Sequence, residues 1–177
     1  MNINFKDLIP RNFNENSHVW VFQSNSTFSV AQAAQIKKLL KNFVSEWKVQ
    51  GTPVKGYANL FFSQFIVFMA DETATGVSRF SSEDLVALIN NIQEEFEVEL
   101  FNKLILAFLI QERIHLISLT ELNKAIEKDF INSDTLYFNN TILTKKQLLN
   151  NWIIPVKKSW LALRIPENSQ VNADSVN

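Results

Sequence analysis

The run Phe65-Ile-Val-Phe-Met-Ala70 is apolar at every position. Side chains of a strand alternate between the two faces of its sheet, so a strand with no polar face has to be covered on both sides. This run is predicted to lie inside a sheet. Its polar end, Asp71-Glu72, leaves the core, and the extended run 54–62 precedes it across Ser63-Gln64, which predicts a hairpin.

The remaining elements follow from period and punctuation. His18-Val-Trp-Val-Phe-Gln23 predicts a first strand closed by Ser24-Asn25-Ser26. Ser29 and Gln32 form a capping box ahead of Ile36, Leu39, Leu40, Phe43 and Trp47 at helical spacing, predicting a helix over 30–48 that Gly51-Thr52-Pro53 stops. A second helix carries Leu85, Ile89, Ile92 and Phe96 on one face, with Glu94, Glu95 and Glu97 mostly off it. The runs 103–110 and 113–119 read as strands, although pattern alone does not separate a long apolar run from a buried helix. Ser118 with Glu121 caps a short helix over 121–130, and 134–138 reads as a strand ending at Asn139-Asn140. Thr144 with Gln147 caps a last helix that Pro155 ends near Ile154. The order β-α-β-β-α-β-β-α-β-α predicts one α+β domain over 1–165, a mostly antiparallel mixed sheet with helices packed on it. The polar stretch 166–177 has no apolar period and is expected to be disordered.

Composition narrows the function classes. Of 177 residues, 46% are hydrophobic and 15 are Phe, enough for one substantial core. A net charge of -1 gives no global field for a polyanion, so nucleic-acid binding is not expected. The absence of Cys removes disulfides, a thiolate nucleophile and the common structural zinc sites, and suits a reducing, cytoplasmic setting. The start of the chain lacks a secretory pattern, and its most apolar region, 104–119, is broken by Gln111, Glu112, Arg113 and His115. No membrane association is expected.

Loop 71–82 collects Asp71, Glu72, Thr73, Thr75, Ser78, Arg79, Ser81 and Ser82 between a buried strand and a helix, the kind of place where sites concentrate. Arg79, the hydroxyls and a helix start could meet a phosphate, but Glu83 and Asp84 fill the first turn, where they complement the helix dipole and repel an anion. With Gly76 alone, the loop matches neither G-x-x-x-x-G-K-[ST] nor G-x-G-x-x-G, so no nucleotide and no cofactor is expected. Capping and turn chemistry is the simpler reading. Asp71 and Glu72 are adjacent at a strand end and point apart, which weakens both an acid/base pair and a cation site. His18 and His115 stand outside any triad or H-E-x-x-H context, and Gly76-Val77-Ser78-Arg79-Phe80 lacks the second glycine of a nucleophile elbow. Lys37, Lys38 and Lys41, and Lys145, Lys146, Lys157 and Lys158, read as solvated helix faces. The spacing of Trp20, Trp47, Trp152 and Trp160 among aliphatic residues favours core packing over a stacking platform.

Val19-Trp-Val-Phe-Gln-Ser-Asn25, Phe65-Ile-Val-Phe with Asp71-Glu72, and Thr135-Leu-Tyr-Phe-Asn-Asn140 through Leu149, Trp152, Pro155 and Ser159-Trp160 carry a resemblance. Over about residues 18–162 the chain resembles a family of uncharacterised Bacteroidetes proteins that often bear the label "ABC transporter ATPase". That label demands a Walker A loop, which this chain lacks, although Phe68-Met-Ala-Asp71-Glu72 imitates the end of a Walker B strand. Where the family loop reads S-G-C-S-I-D, this chain has Val77 at the cysteine position and Phe80 at the acidic one. The resemblance implies lineage and fold and supplies no substrate.

Two functional expectations stand side by side. One is a non-enzymatic protein that binds a protein partner or itself as a homo-oligomer, using the aromatic first strand and the segment 139–160. The other is a small-molecule or enzymatic site where loop 71–82, with Asp71, Glu72, Ser78 and Arg79, meets Gln23 and Asn139-Asn140, whose short amides suit a polar ligand.

Overall fold

The computed structural model describes residues 3–74 and 83–165. Its strands and helices run β1 (His18–Gln23), α1 (Val30–Glu46), β2 (Lys48–Val49), β3 (Thr52–Pro53), β4 (Gly56–Phe61), β5 (Phe65–Ala70), α2 (Glu83–Phe96), β6 (Ile105–Ile110), β7 (Arg113–Ser118), α3 (Leu122–Glu127), β8 (Leu136–Phe138), α4 (Lys145–Asn151) and β9 (Ile153–Pro155). The expected α+β class is present, with every strand pairing among the described residues antiparallel. The strands are divided between a three-stranded sheet, β1-β5-β4, a four-stranded sheet, β7-β6-β8-β9, and the small β2-β3 hairpin, where a single sheet was expected.

The apolar run 65–70 explains the division. β5 is the central strand of the first sheet, and all six of its residues are buried. Ile66, Phe68 and Ala70 face a core built with α1 and α2, through Ile36, Leu40, Leu85, Ile89 and Ile92. Phe65, Val67 and Met69 face the opposite way, into a second core shared with Ala107 of β6, Phe138 of β8, and Leu148 and Trp152 at α4. The far face of the second sheet packs Phe108, Ile117 and Tyr137 against Leu122 of α3, Val156 and Leu161. The layers are therefore helices, sheet, sheet, and a thin outer cover of α3 and 3-10 turns.

Local signals set the element ends. Ser29 Oγ accepts from the Gln32 amide at 3.2 Å and Gln32 Oε1 accepts from the Ser29 amide at 2.9 Å, a complete capping box on α1. At α3 the box is incomplete: Ser118 Oγ accepts from the Glu121 amide at 3.3 Å, but the Glu121 carboxylate turns to the Ser118 hydroxyl and the helix starts only at Leu122. Pro155 does not end a helix that reaches Ile154; α4 stops at Asn151 and residues 153–155 pair with β8. Gly51, at φ 80°, closes the β2-β3 turn, and Gly56 lets β4 pass beneath Trp47, because a Cβ there would lie 2.6 Å from the indole ring.

Residues before β1 form a strap over the inter-sheet core. Phe5, Ile9 and Phe13 are buried in it, and Phe5 packs edge-on against Trp152 with ring centroids 4.8 Å apart. No described helix is long and apolar enough to cross a membrane.

Candidate functional site

The candidate residues fall at opposite ends of the first sheet. β1 and β5 pair from His18 with Ala70 to Gln23 with Phe65. Asp71, one residue beyond Ala70, therefore stands at the His18 end, and six strand steps, roughly 20 Å, separate it from the level of Gln23. Loop residues Ser78 and Arg79, like the Ser81-Ser82 helix start and the segment 166–177, lie outside the described residues.

Gln23 and Asn140 do come together, and they use each other. Trp152 Nε1 donates to Asn140 Oδ1 at 3.1 Å, Asn140 Nδ2 donates to Gln23 Oε1 at 2.8 Å, and Gln23 Nε2 donates to the Ile105 carbonyl at 3.1 Å. This directional chain ties β1 to β6, the turn after β8 and the end of α4, and each amide polarises the next. Gln23 is buried and Trp152 fully so. A buried amide without a partner is costly, so the chain satisfies groups that would otherwise destabilise the interface between the sheets. Asn139 is spent locally: its Nδ2 donates to the Asn151 carbonyl at 3.3 Å and its Oδ1 accepts from the Thr141 hydroxyl at 2.7 Å. The amides expected to orient a polar ligand are thus internal connectors.

Asp71 is enclosed in the same way. Its Oδ1 accepts from the Thr73 hydroxyl at 2.6 Å and the Thr73 amide at 3.2 Å, and its Oδ2 accepts from Lys55 Nζ at 2.9 Å and the Asn14 amide at 3.2 Å. Burial pushes its carboxyl up, but the Thr73 hydroxyl, the Lys55 ammonium with its charge, and the Asn14 amide outweigh burial and hold the pKa down at about 2. With both oxygens doubly engaged, Asp71 fixes the 3-10 turn Glu72–Ala74 to the strap before β1. Glu72 is half-exposed, 4.0 Å from His18 Nδ1, and His18 in turn stacks on Trp20 at 4.5 Å. Asp71 and Glu72 therefore diverge, as adjacent strand-end residues should.

Two lysines complete the strap, Lys55, which carries no sequence signal of its own, and Lys145, which was expected on a solvated face. Lys145, placed above on a solvated face, is buried, and its Nζ donates to the carbonyls of Phe13 at 2.7 Å and Arg11 at 3.1 Å. Lys55 Nζ donates to the carbonyl of Asn12 at 2.5 Å and lies 4.9 Å from the centre of the Phe13 ring. The Tyr57 hydroxyl adds a bond to the Leu8 carbonyl at 2.8 Å. The signal was available: Ile142, Lys145 and Leu148 are spaced by three, which puts the lysine in phase with the apolar residues.

Trp20, Trp47 and Trp152 belong to the cores, whereas Trp160 is 45% exposed, donates to the Tyr137 hydroxyl at 3.3 Å and lies 6.0 Å from the Arg164 guanidinium. An open groove of about 400 Å³ runs between α1 and α2, floored by Phe43, Trp47 and Leu88 and rimmed by Glu46, Lys48, Asp84 and Asn91. Gln23, Asp71, Glu72, Asn139 and Asn140 are not among its lining. No group of three or more His, Asp or Glu able to hold a metal occurs among the described residues. The chain matches no family model, no curated protein and no solved structure.

Proposed function

We propose that this chain acts by binding protein, either a partner or a second copy of itself, and not by catalysis. The observation that carries this reading is the fate of the polar candidates: Asp71, Gln23, Asn139 and Asn140 spend their side-chain groups on bonds that hold the strap and the two sheets in place. A reacting group needs a free lone pair or proton directed at a substrate, and Asp71, with both oxygens doubly engaged, directs none, while the three amides are oriented by their bonds within the fold. Within the segment first expected to make the contact, Leu143 at 58% and Trp160 at 45% exposure remain available, whereas the side chains of β1 are buried or half-buried. Further exposed apolar groups add to them, among them Phe130 at 44% and Leu163 at 96% exposure. The reading places the protein in the cytoplasm, where a chain without Cys needs no oxidative folding. The Bacteroidetes lineage is kept as part of the same reading.

Sedimentation equilibrium on the full chain over a wide concentration range tests the self-association arm, with a reversible dimer as the expected result. A monomer at every concentration, together with no saturable complex in pull-downs at physiological salt, overturns the reading.

A further inference from the structure

We propose that the outer edge of β7 is the surface through which two copies of this chain associate, the two β7 strands pairing antiparallel about a twofold axis at His115. This rests on the protein-binding reading above and names its occupant.

Hydrogen-bond parity shows which backbone groups are free. β6 and β7 are joined by the two-residue turn Gln111-Glu112, with φ of 47° and 60°, so the flanking pair Ile110 and Arg113 exchanges hydrogen bonds. The alternation then assigns Phe108 with His115 and Leu106 with Ile117 as bonded pairs, and the Leu119 amide bond to the Leu104 carbonyl at 2.8 Å continues the same phase. Ile114 and Leu116 therefore point N–H and C=O away from β6. No backbone bond from another described segment reaches either residue.

The other long sheet edges are each blunted. The Val19 amide is taken by the Leu143 carbonyl and the Ser17 carbonyl by the Lys145 amide, both at 2.9 Å, which covers the His18 end of β1. β9 is three residues long and ends in Pro155. On β4 the Leu60 amide is occupied by Asn59 Oδ1 at 2.9 Å. β7 has six residues in unbroken register with no proline, lysine or bulge. Such a plain edge is a template for another strand.

The chemistry of the edge favours a second copy. With His115 on the axis, Ile114 of one chain faces Leu116 of the other, and their backbone groups bond reciprocally. Both side chains are only partly buried, and on the opposite face Phe130, 44% exposed, packs edge-on against His115 with centroids 5.4 Å apart. Pairing would cover all three. Arg113, the one formally charged residue of the strand, would face Ile117 of the second copy, so no like charges meet across the ladder. The product is a continuous eight-stranded sheet, since each copy contributes four strands.

Hydrogen exchange of the unaltered protein, measured at low and high concentration beside sedimentation, tests this directly. The Ile114 and Leu116 amides should slow by about tenfold or more as dimer forms, while the His115 amide, already bonded to β6, keeps its rate. Ile114→Lys, which sets a charge beside the axis, should weaken the dimer by a similar factor, with circular dichroism reporting whether it folds. If Ile114→Lys does not fold, the exchange measurement decides alone. A dimer whose Ile114 and Leu116 amides exchange at the same rate at every concentration overturns the β7 assignment and leaves the self-association reading standing. A monomer throughout overturns the β7 assignment and the self-association arm, and leaves the partner-binding arm to the pull-downs.

Discussion

Asp71 keeps its negative charge in a place almost closed to water, and this has a measurable pH consequence. Its carboxyl releases a proton more readily in the folded chain than in the unfolded one, so its bonds contribute fully above an ordinary carboxylate pKa of about 4. That contribution fades as pH falls toward its folded value of about 2. Urea midpoints followed from pH 5 to pH 2 should fall more steeply for the native chain than for Asp71→Asn, and parallel curves would refute the linkage. Asp71→Ala, which removes the Lys55 ion pair and the acceptor of the Thr73 and Asn14 amides, should cost about 2–4 kcal/mol at neutral pH. Gly56 is constrained by its neighbour rather than by its own dihedrals: Gly56→Ala forces Trp47 to move and should cost about 1–3 kcal/mol in chemical denaturation. The side chains were legible in sequence as types, not as partners. An exposed-looking Asn140 and a strand-end Gln23 present amides that would suit a ligand, and nothing local reveals that each faces the other across 117 residues.

Element boundaries were read best where the controlling interaction is local. The Ser29-Gln32 box starts α1 where expected, and Leu85, Ile89, Ile92 and Phe96 are the buried stripe of α2. The gap between runs 103–110 and 113–119 is the two-residue turn of the β6-β7 hairpin. The elements that went unread, β2, β3 and β9, have two or three residues each, too few to show a period, and exist through their pairing partners. The hairpin turn also carries a strain that sequence editing can relieve. Gln111 and Glu112 both occupy the left-handed region that Asn and Gly accept far more readily. The double substitution Gln111→Asn with Glu112→Gly should stabilise the fold by about 1 kcal/mol and raise Tm by several degrees in calorimetry, against the added freedom of Gly in the unfolded chain. A lower Tm would show that these side chains make compensating contacts.

At the scale of the molecule, the division into two sheets was the least legible feature. Either sheet can be written from alternating apolar runs, but which face of β5 receives helices and which receives a second sheet depends on packing between segments far apart in the chain. The strap is part of that packing. Lys145→Ala leaves the Arg11 and Phe13 carbonyls without their donor inside the core edge, which should cost about 2–4 kcal/mol. Limited proteolysis should then cut first within residues 5–16, and unchanged cleavage kinetics would argue against the clamp.

The clamp also sets an order of events during synthesis. Phe13 leaves the ribosome early, yet the ammonium that holds its carbonyl belongs to a residue 132 positions later. Lys55, Tyr57 and Asp71 can hold the strap once the first sheet is made, but the Lys145 clamp and the Trp152 contact to Phe5 close only when α4 has emerged.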